Sequence, residues 1–387
     1  MNKKLLAVAI GAALSTPMLV QADVKIGGAA QVEIAVEEVQ TTAGTVSTTD
    51  TTVTTEDNSR GRFWITADED LGGGMKGLAH FEFRVDTTGV CAAETGGSAG
   101  CVASSANTRE KWVGLQTKLG TVKLGSVQQP YKYAGGVKWD AFVTTNLEAR
   151  GNGGMSGGVF GHNNFFDNAV NYSSPSFAGV SFGLAYSFDD VSTDTGTAAS
   201  NTADPATAVP LQAVTADDGD YSIAVEWKSS FGLNLVAALS HNADNTAASN
   251  VPSSNATTDA TKIGAKFTFA KNFAVIGQYE QIEGSRVAGG IDVIDDKVYF
   301  IAFNATIGPV LIALQYGNTE QGGSVQGSGG LATNNDIDYL ALGAFYNFSK
   351  TFNVFTGYRI TDSTQTLPAV VNDVETQVFT LGMRKTF

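Results

Sequence analysis

The chain has 387 residues, among them 44 glycines and 8 prolines, with 24 lysines and arginines against 38 aspartates and glutamates, a formal charge of −14. That acidic balance argues against a nucleic-acid binder, which needs a basic footprint. Abundant glycine and aromatics with few long helix formers argue against a helical fold.

Lys3 and Lys4 precede an apolar stretch from Leu5 to Val20, and Val20-Gln21-Ala22 fits a small-x-small cleavage site. Residues 1–22 therefore read as a secretory signal peptide, too short and wrongly flanked for a spanning helix. Residues 23–387 read as one domain with no interdomain linker. No later segment approaches the roughly 20 consecutive apolar residues of a transmembrane helix. If this chain sits in a membrane it must do so as a closed barrel, since only helices and barrels satisfy the backbone in lipid.

The chain then alternates. Val180, Phe182, Leu184, Tyr186 and Phe188 share one strand face, opposite Ser181, Gly183, Ala185 and Ser187. Tyr221, Ile223, Val225 and Trp227 do the same, as do Ile263, Ala265, Phe267 and Phe269, then Phe352, Val354, Thr356, Tyr358 and Ile360. The last strand puts Phe379, Leu381, Met383, Lys385 and Phe387 opposite Val378, Thr380, Gly382, Arg384 and Thr386. Short turns at 70–74, 119–120, 175–179, 230–232, 270–272, 308–309 and 349–350 alternate with polar segments near 37–60, 88–108, 129–165, 191–218, 243–259, 284–296, 320–335 and 362–375. A single antiparallel barrel gives that rhythm, with short periplasmic turns and long outer loops; a Greek-key sandwich does not. Counting between connections predicts an all-β transmembrane barrel of sixteen strands, the size that leaves a water-filled channel. Cys91 and Cys101 lie close together in a Gly/Ala/Ser stretch. In an exported chain that spacing points to one loop disulfide, and useful metal ligands are missing beside them.

Several segments, in order, resemble the Gram-negative trimeric general porins. They are Arg62-Phe63-Trp64 leading into Glu69-Asp70-Leu71-Gly72-Gly73-Gly74; Asn107-Thr108-Arg109-Glu110 with Val113-Gly114-Leu115 and Gly120-Thr121-Val122; and Asn171-Tyr172-Ser173-Ser174-Pro175-Ser176-Phe177. Leu342-Gly343-Ala344-Phe345-Tyr346-Asn347-Phe348-Ser349-Lys350 and the terminal Gly382-Met383-Arg384-Lys385-Thr386-Phe387 complete the set. The resemblance implies a homotrimer in outer-membrane lipid, and a third outer loop, here 129–165, folded into each barrel to narrow it. It implies passive diffusion of ions and small hydrophilic solutes, without cofactor or covalent chemistry. Selection would come from pore width and from the field at the narrowest point. Arg62 and Arg109 match family positions on the wall. Arg84 joins them because His80, Glu82 and Arg84 oppose apolar Phe81, Phe83 and Val85. Asp140 and Glu148 are the loop carboxylates expected to face them, with Lys132 and Lys138 as counterweights. Asn171 and Ser126 stand where the family often carries a basic residue, so an anion preference does not follow from the resemblance. The acidic outer loops would gather cations at the mouth, within a Debye length of about 8 Å.

Other functions find less support. Gly72 to Gly77 fits G-x-G-x-x-G but opens no helix. Gly96 to Gly100 and Gly154 to Gly158 fit G-x-S-x-G without the strand-to-helix turn a nucleophile needs. His80, His162 and His241 sit in no local constellation with a serine, against a hydrolase. A sugar-specific channel wants a file of aromatics, for which Tyr131, Tyr133 and Trp139 are candidates; a phosphate-specific one wants clustered lysines, which are missing. A surface adhesin would suit a smaller, plugged barrel.

Overall fold

A computed structural model of the protein describes residues 22–88, 108–156, 162, 164–188, 219–242, 255–287, 291–327, 330–366 and 371–387. The signal segment up to residue 21, Cys91, Cys101, the loop acids Asp189, Asp190, Asp217 and Asp218, and Gly157, Gly158 and Gly161 lie outside the described residues. The strands are β1 (Asp23–Ala43), β2 (Val46–Glu56), β3 (Arg62–Gly72), β4 (Met75–Arg84), β5 (Thr108–Thr117), β6 (Gly120–Gln128), β7 (Phe165–Ser173), β8 (Val180–Ser187) and β9 (Tyr221–Lys228). They continue as β10 (Leu233–Asn242), β11 (Asn255–Phe269), β12 (Phe273–Val287), β13 (Ile291–Ile307), β14 (Val310–Gly327), β15 (Gly330–Asn347), β16 (Phe352–Thr366) and β17 (Val371–Thr386).

All belong to one antiparallel sheet in which each strand from β3 onward pairs with the next. β17 returns to β1, from Ala29↔Thr386 to Ala43↔Asn372, and closes the barrel. On its other edge β1 pairs with β3 near its start and β2 farther along. β2 and β3 are therefore one stave broken at 57–61, and the closed barrel has sixteen staves.

Two solvents explain the strand pattern. On β17, Phe379, Leu381 and Met383 point out and are exposed, while Val378 and Thr380 are fully buried within. On β8 the outward set is Val180, Phe182, Leu184 and Tyr186. Outward aromatics cluster at two levels: Phe269, Phe273 and Phe303 stack beside the short turns, and Tyr279 and Tyr299 pack 5.1 Å apart nearer the other end. Such girdles mark where lipid meets water.

The long connections differ from the polar loops expected of them. β1 and β2 form a ladder that turns at Gly44, whose φ of 62° suits glycine. The Thr- and Val-rich run 46–55 favours extended backbone strongly enough to carry the sheet past the barrel rim. β12 to β17 likewise extend through much of 284–296, 320–335 and 362–375.

The largest apolar core lies inside the barrel. Tyr131, Trp139, Phe142, Leu147, Ala149 and Met155 pack against Ile276, Phe300, Tyr339, Phe345 and Phe355 of the inner wall. An apolar side chain facing water inside a channel would gain nothing; here the inward phenylalanines are covered by the chain between β6 and β7.

Candidate functional site

That segment leaves β6 at Gln129, makes one helical turn α1 (Pro130–Tyr133) and a 3-10 turn (Gly136–Lys138), and then doubles back. Side chains of the wall fasten it at both ends and along its length. The Tyr131 hydroxyl donates to Glu280 Oε2 at 2.7 Å, and the Ser156 hydroxyl donates to the same oxygen at 2.6 Å. Lys262 Nζ lies 3.6 Å from Glu280 and donates to the Tyr131 carbonyl at 3.1 Å. The Gly136 amide donates to Gln278 Oε1 at 2.7 Å. At the far end Gln31 Nε2 donates to the Thr144 carbonyl at 2.6 Å, the Asn146 amide to Glu33 Oε2 at 3.1 Å, and Arg384 Nη2 to the Val143 carbonyl at 3.3 Å. Tyr339 and Thr319 hold Leu147 and Gly153. Two wall glycines make this seat. A Cβ on Gly317 would overlap Gly154 Cα, and one on Gly343 would come within 2.8 Å of the Phe142 ring.

The segment is thus tied to β1 and β9 to β17, and the wall of β3 to β5 stays uncovered. Between them lies a cavity of about 440 Å³. Arg60, Arg62, Arg84 and Arg109 line its wall side; Lys132, Tyr133, Val137, Val143, Thr144 and Arg150 line the loop side. No carboxylate is among its described lining residues. The carboxylates stand one layer back. Arg109 Nε donates to Glu82 Oε1 at 2.5 Å, and Arg62 Nη1 lies 3.7 Å from the same atom. Arg84 is 3.9 Å from Asp57, and Arg150 Nε is 2.7 Å from Glu148. Phe165 lies beneath Arg109 and Lys132, its centroid 5.0 and 4.8 Å from their cationic groups. Burial among Arg150, Arg109 and Arg62 lowers the Lys132 ammonium to about 7.

Arg62, Arg84 and Arg109 come together here. Asp140 and Glu148 do not join them in the opening. Asp140 is buried and accepts from the amides of Phe142 at 2.8 Å and Ala149 at 2.9 Å, closing the loop's own turn. Glu148 accepts from the Thr144 amide at 2.8 Å. Burial beside Glu148 raises the Asp140 carboxyl above its ordinary range. Arg60 and Arg150 were not foreseen from the sequence. Arg60 stands two residues before Arg62, the strand spacing that shares a face; Arg150 had no such signal. Of the three loop aromatics only Tyr133 lines the opening; Tyr131 and Trp139 are buried under the loop.

Comparisons with known proteins agree with this architecture. A family model described as Gram-negative porin matches residues 6–366. The fold is similar to the anion-selective porin from Comamonas acidovorans, with 20% identity over 95% of this chain and 100% of that one and a TM-score of 0.66. It is also similar to in-vitro folded OmpT of Vibrio cholerae in its trimer form, with 14% identity over 95% and 99% of the two chains and a TM-score of 0.60. OmpF of Salmonella typhi, in complex with daunomycin, gives 14% identity over 95% and 98% and a TM-score of 0.59. No curated protein sequence matches the chain.

Proposed function

We propose that this chain, which belongs to the Gram-negative porin family and is an outer-membrane diffusion channel rather than an enzyme, passes small hydrophilic anions in preference to cations. The carrying observation is the opening's lining: five arginines and one lysine, with carboxylates only behind them. A ring of like charge in a narrow aqueous passage favours the counter-ion by its field rather than by shape. The arrangement expected from the sequence, wall arginines facing loop carboxylates across the pore, would instead give a transverse field of weak net sign. Asp140 and Glu148, turned into the loop, favour the first reading. That the anion-selective Comamonas porin shares the fold is consistent with it.

Water fills the rest of the barrel, and a solute crosses by exchanging its hydration for contacts with the guanidinium groups. Large apolar solutes have nothing to exchange and are slowed. A sugar-specific channel is disfavoured because Tyr131 and Trp139 are buried, which leaves Tyr133 as the one member of the expected file at the opening. Assembly as a homotrimer belongs to the same reading, supported by the trimer form of a structural relative, as do cleavage after Ala22 and a Cys91–Cys101 bond. The test is the reversal potential across a planar bilayer in a salt gradient of potassium chloride. The sign of an anion-preferring channel is expected; the cation sign would overturn the proposal.

A further inference from the structure

Beside the opening, toward the short-turn end of the same wall, stands a second group of polar side chains that the channel reading does not use. His80 and Glu82 project from β4 into the lumen, and Glu110 projects from the neighbouring β5. One ligand atom from each lies within 4.8 Å of the other two, and His80 Nε2 is 3.9 Å from Glu82 Oε2. Neighbouring ligands on a tetrahedral zinc ion stand about 3.3 Å apart, given bonds near 2.0–2.1 Å. Binding therefore requires side-chain rotations that close these separations by up to about 1.5 Å.

We propose that His80, Glu82 and Glu110 form a lumenal site for a divalent transition-metal ion of the zinc class. The donor set of one imidazole nitrogen and two carboxylates suits zinc and leaves a fourth position for water. Calcium and magnesium want an all-oxygen shell and fit poorly. The trio is held from outside. Both arginine contacts fall on Glu82 Oε1, so Oε2 is the oxygen turned to His80. Trp112 Nε1 donates to Glu110 Oε2 at 2.9 Å, and Gln128 donates to Glu110 Oε1. The His80 ring stacks on Trp112 with centroids 5.4 Å apart, which fixes its plane. Outer groups that orient ligands in this way are what a metal site needs beyond its ligands. Entry is open as well, because Glu110 also lines a lumenal alcove of about 500 Å³.

A bound ion would sit on the same carboxylate that neutralises Arg62 and Arg109. It would add two positive charges behind the opening without crossing it, so anion preference would rise while the passage stays open. This consequence rests on the anion-preferring reading; the site itself does not.

The test is calorimetric titration of zinc chloride into the folded full-length barrel in detergent, repeated on His80→Phe, which keeps the ring stack, and on Glu110→Gln. One zinc per chain is expected, weakened at least about tenfold in each variant, with magnesium giving no comparable heat. No zinc heat in the native protein, or equal heat in both variants, would overturn the site. Reversal potentials with and without zinc follow on the same proteins. A further shift toward anions in the native protein alone is expected. An unchanged potential despite measured binding would overturn the coupling through Glu82. The zinc-free potential separately reports whether the anion-preferring reading holds.

Discussion

Replacing Arg62 by glutamine removes one charge from the opening at small structural cost, because Glu82 keeps its 2.5 Å contact with Arg109. A sphere of the cavity's 440 Å³ has a radius of about 5 Å, so an ion at its centre lies about that far from each lining charge. Coulomb's law in water gives about 0.8 kcal/mol per charge at that distance. A Debye length of about 10 Å at 0.1 M salt reduces this to about 0.5 kcal/mol. The anion loses that stabilisation and the cation gains it, so the permeability ratio changes by about 1 kcal/mol, or about fivefold. The expected outcome for Arg62→Gln is a fall of about that size in the chloride-to-potassium ratio, read from reversal potentials near 0.1 M. At 1 M, where the Debye length is about 3 Å, the same arithmetic leaves about 0.3 kcal/mol, so the difference should shrink to less than about twofold. A ratio unchanged at low salt, or an equal change at both salts, would refute the electrostatic account.

The pH response should carry the signature of Lys132. Its ammonium is lowered to about 7, so it is charged below that pH and neutral above it. Anion preference should be higher at pH 6 than at pH 8, and Lys132→Met should remove that step. Glu280→Gln leaves Lys262 buried without its counter-ion and weakens the Tyr131 and Ser156 anchors. Breaking such a pair costs about 3–5 kcal/mol; larger, noisier conductance steps and red-shifted Trp139 emission should follow. Gly317→Val drives a side chain into Gly154 and overpacks the seat by about 1–3 kcal/mol. The loop is pushed toward the β3–β5 wall, and single-channel conductance should fall.

The barrel was legible because lipid and water impose opposite demands on alternate residues, and β8 and β17 obey them along their length. The pattern fails where a third environment intervenes. Phe355 falls on the polar face by parity, yet it is buried against the inserted loop rather than bathed in water. Charge in the loop was legible in amount but not in direction. Asp140 reads as a pore carboxylate until its two amide donors are seen, since a short acid closing its own turn looks the same in sequence. Asn171 and Ser126, where the resemblance would place basic residues, say nothing of the charge that other positions supply. Asn171 lines the neighbouring alcove, while Arg60 and Arg150 bring cationic charge to the opening.

The seam between β1 and β17 sets the order in which this molecule can be made. Gly28 and Phe387 exchange both backbone hydrogen bonds, each 3.0 Å long, across nearly the entire sequence. Every other stave pairs with a neighbour in the chain, so those hairpins can form as their own residues become available. The seam must wait for the last strand, and contacts of such long range are slow to form. Until then β1 and β17 are two bare edges able to pair with any extended chain they meet. The time between release of the final strand and closure of the ring is therefore when this protein most needs to be kept apart from its own copies.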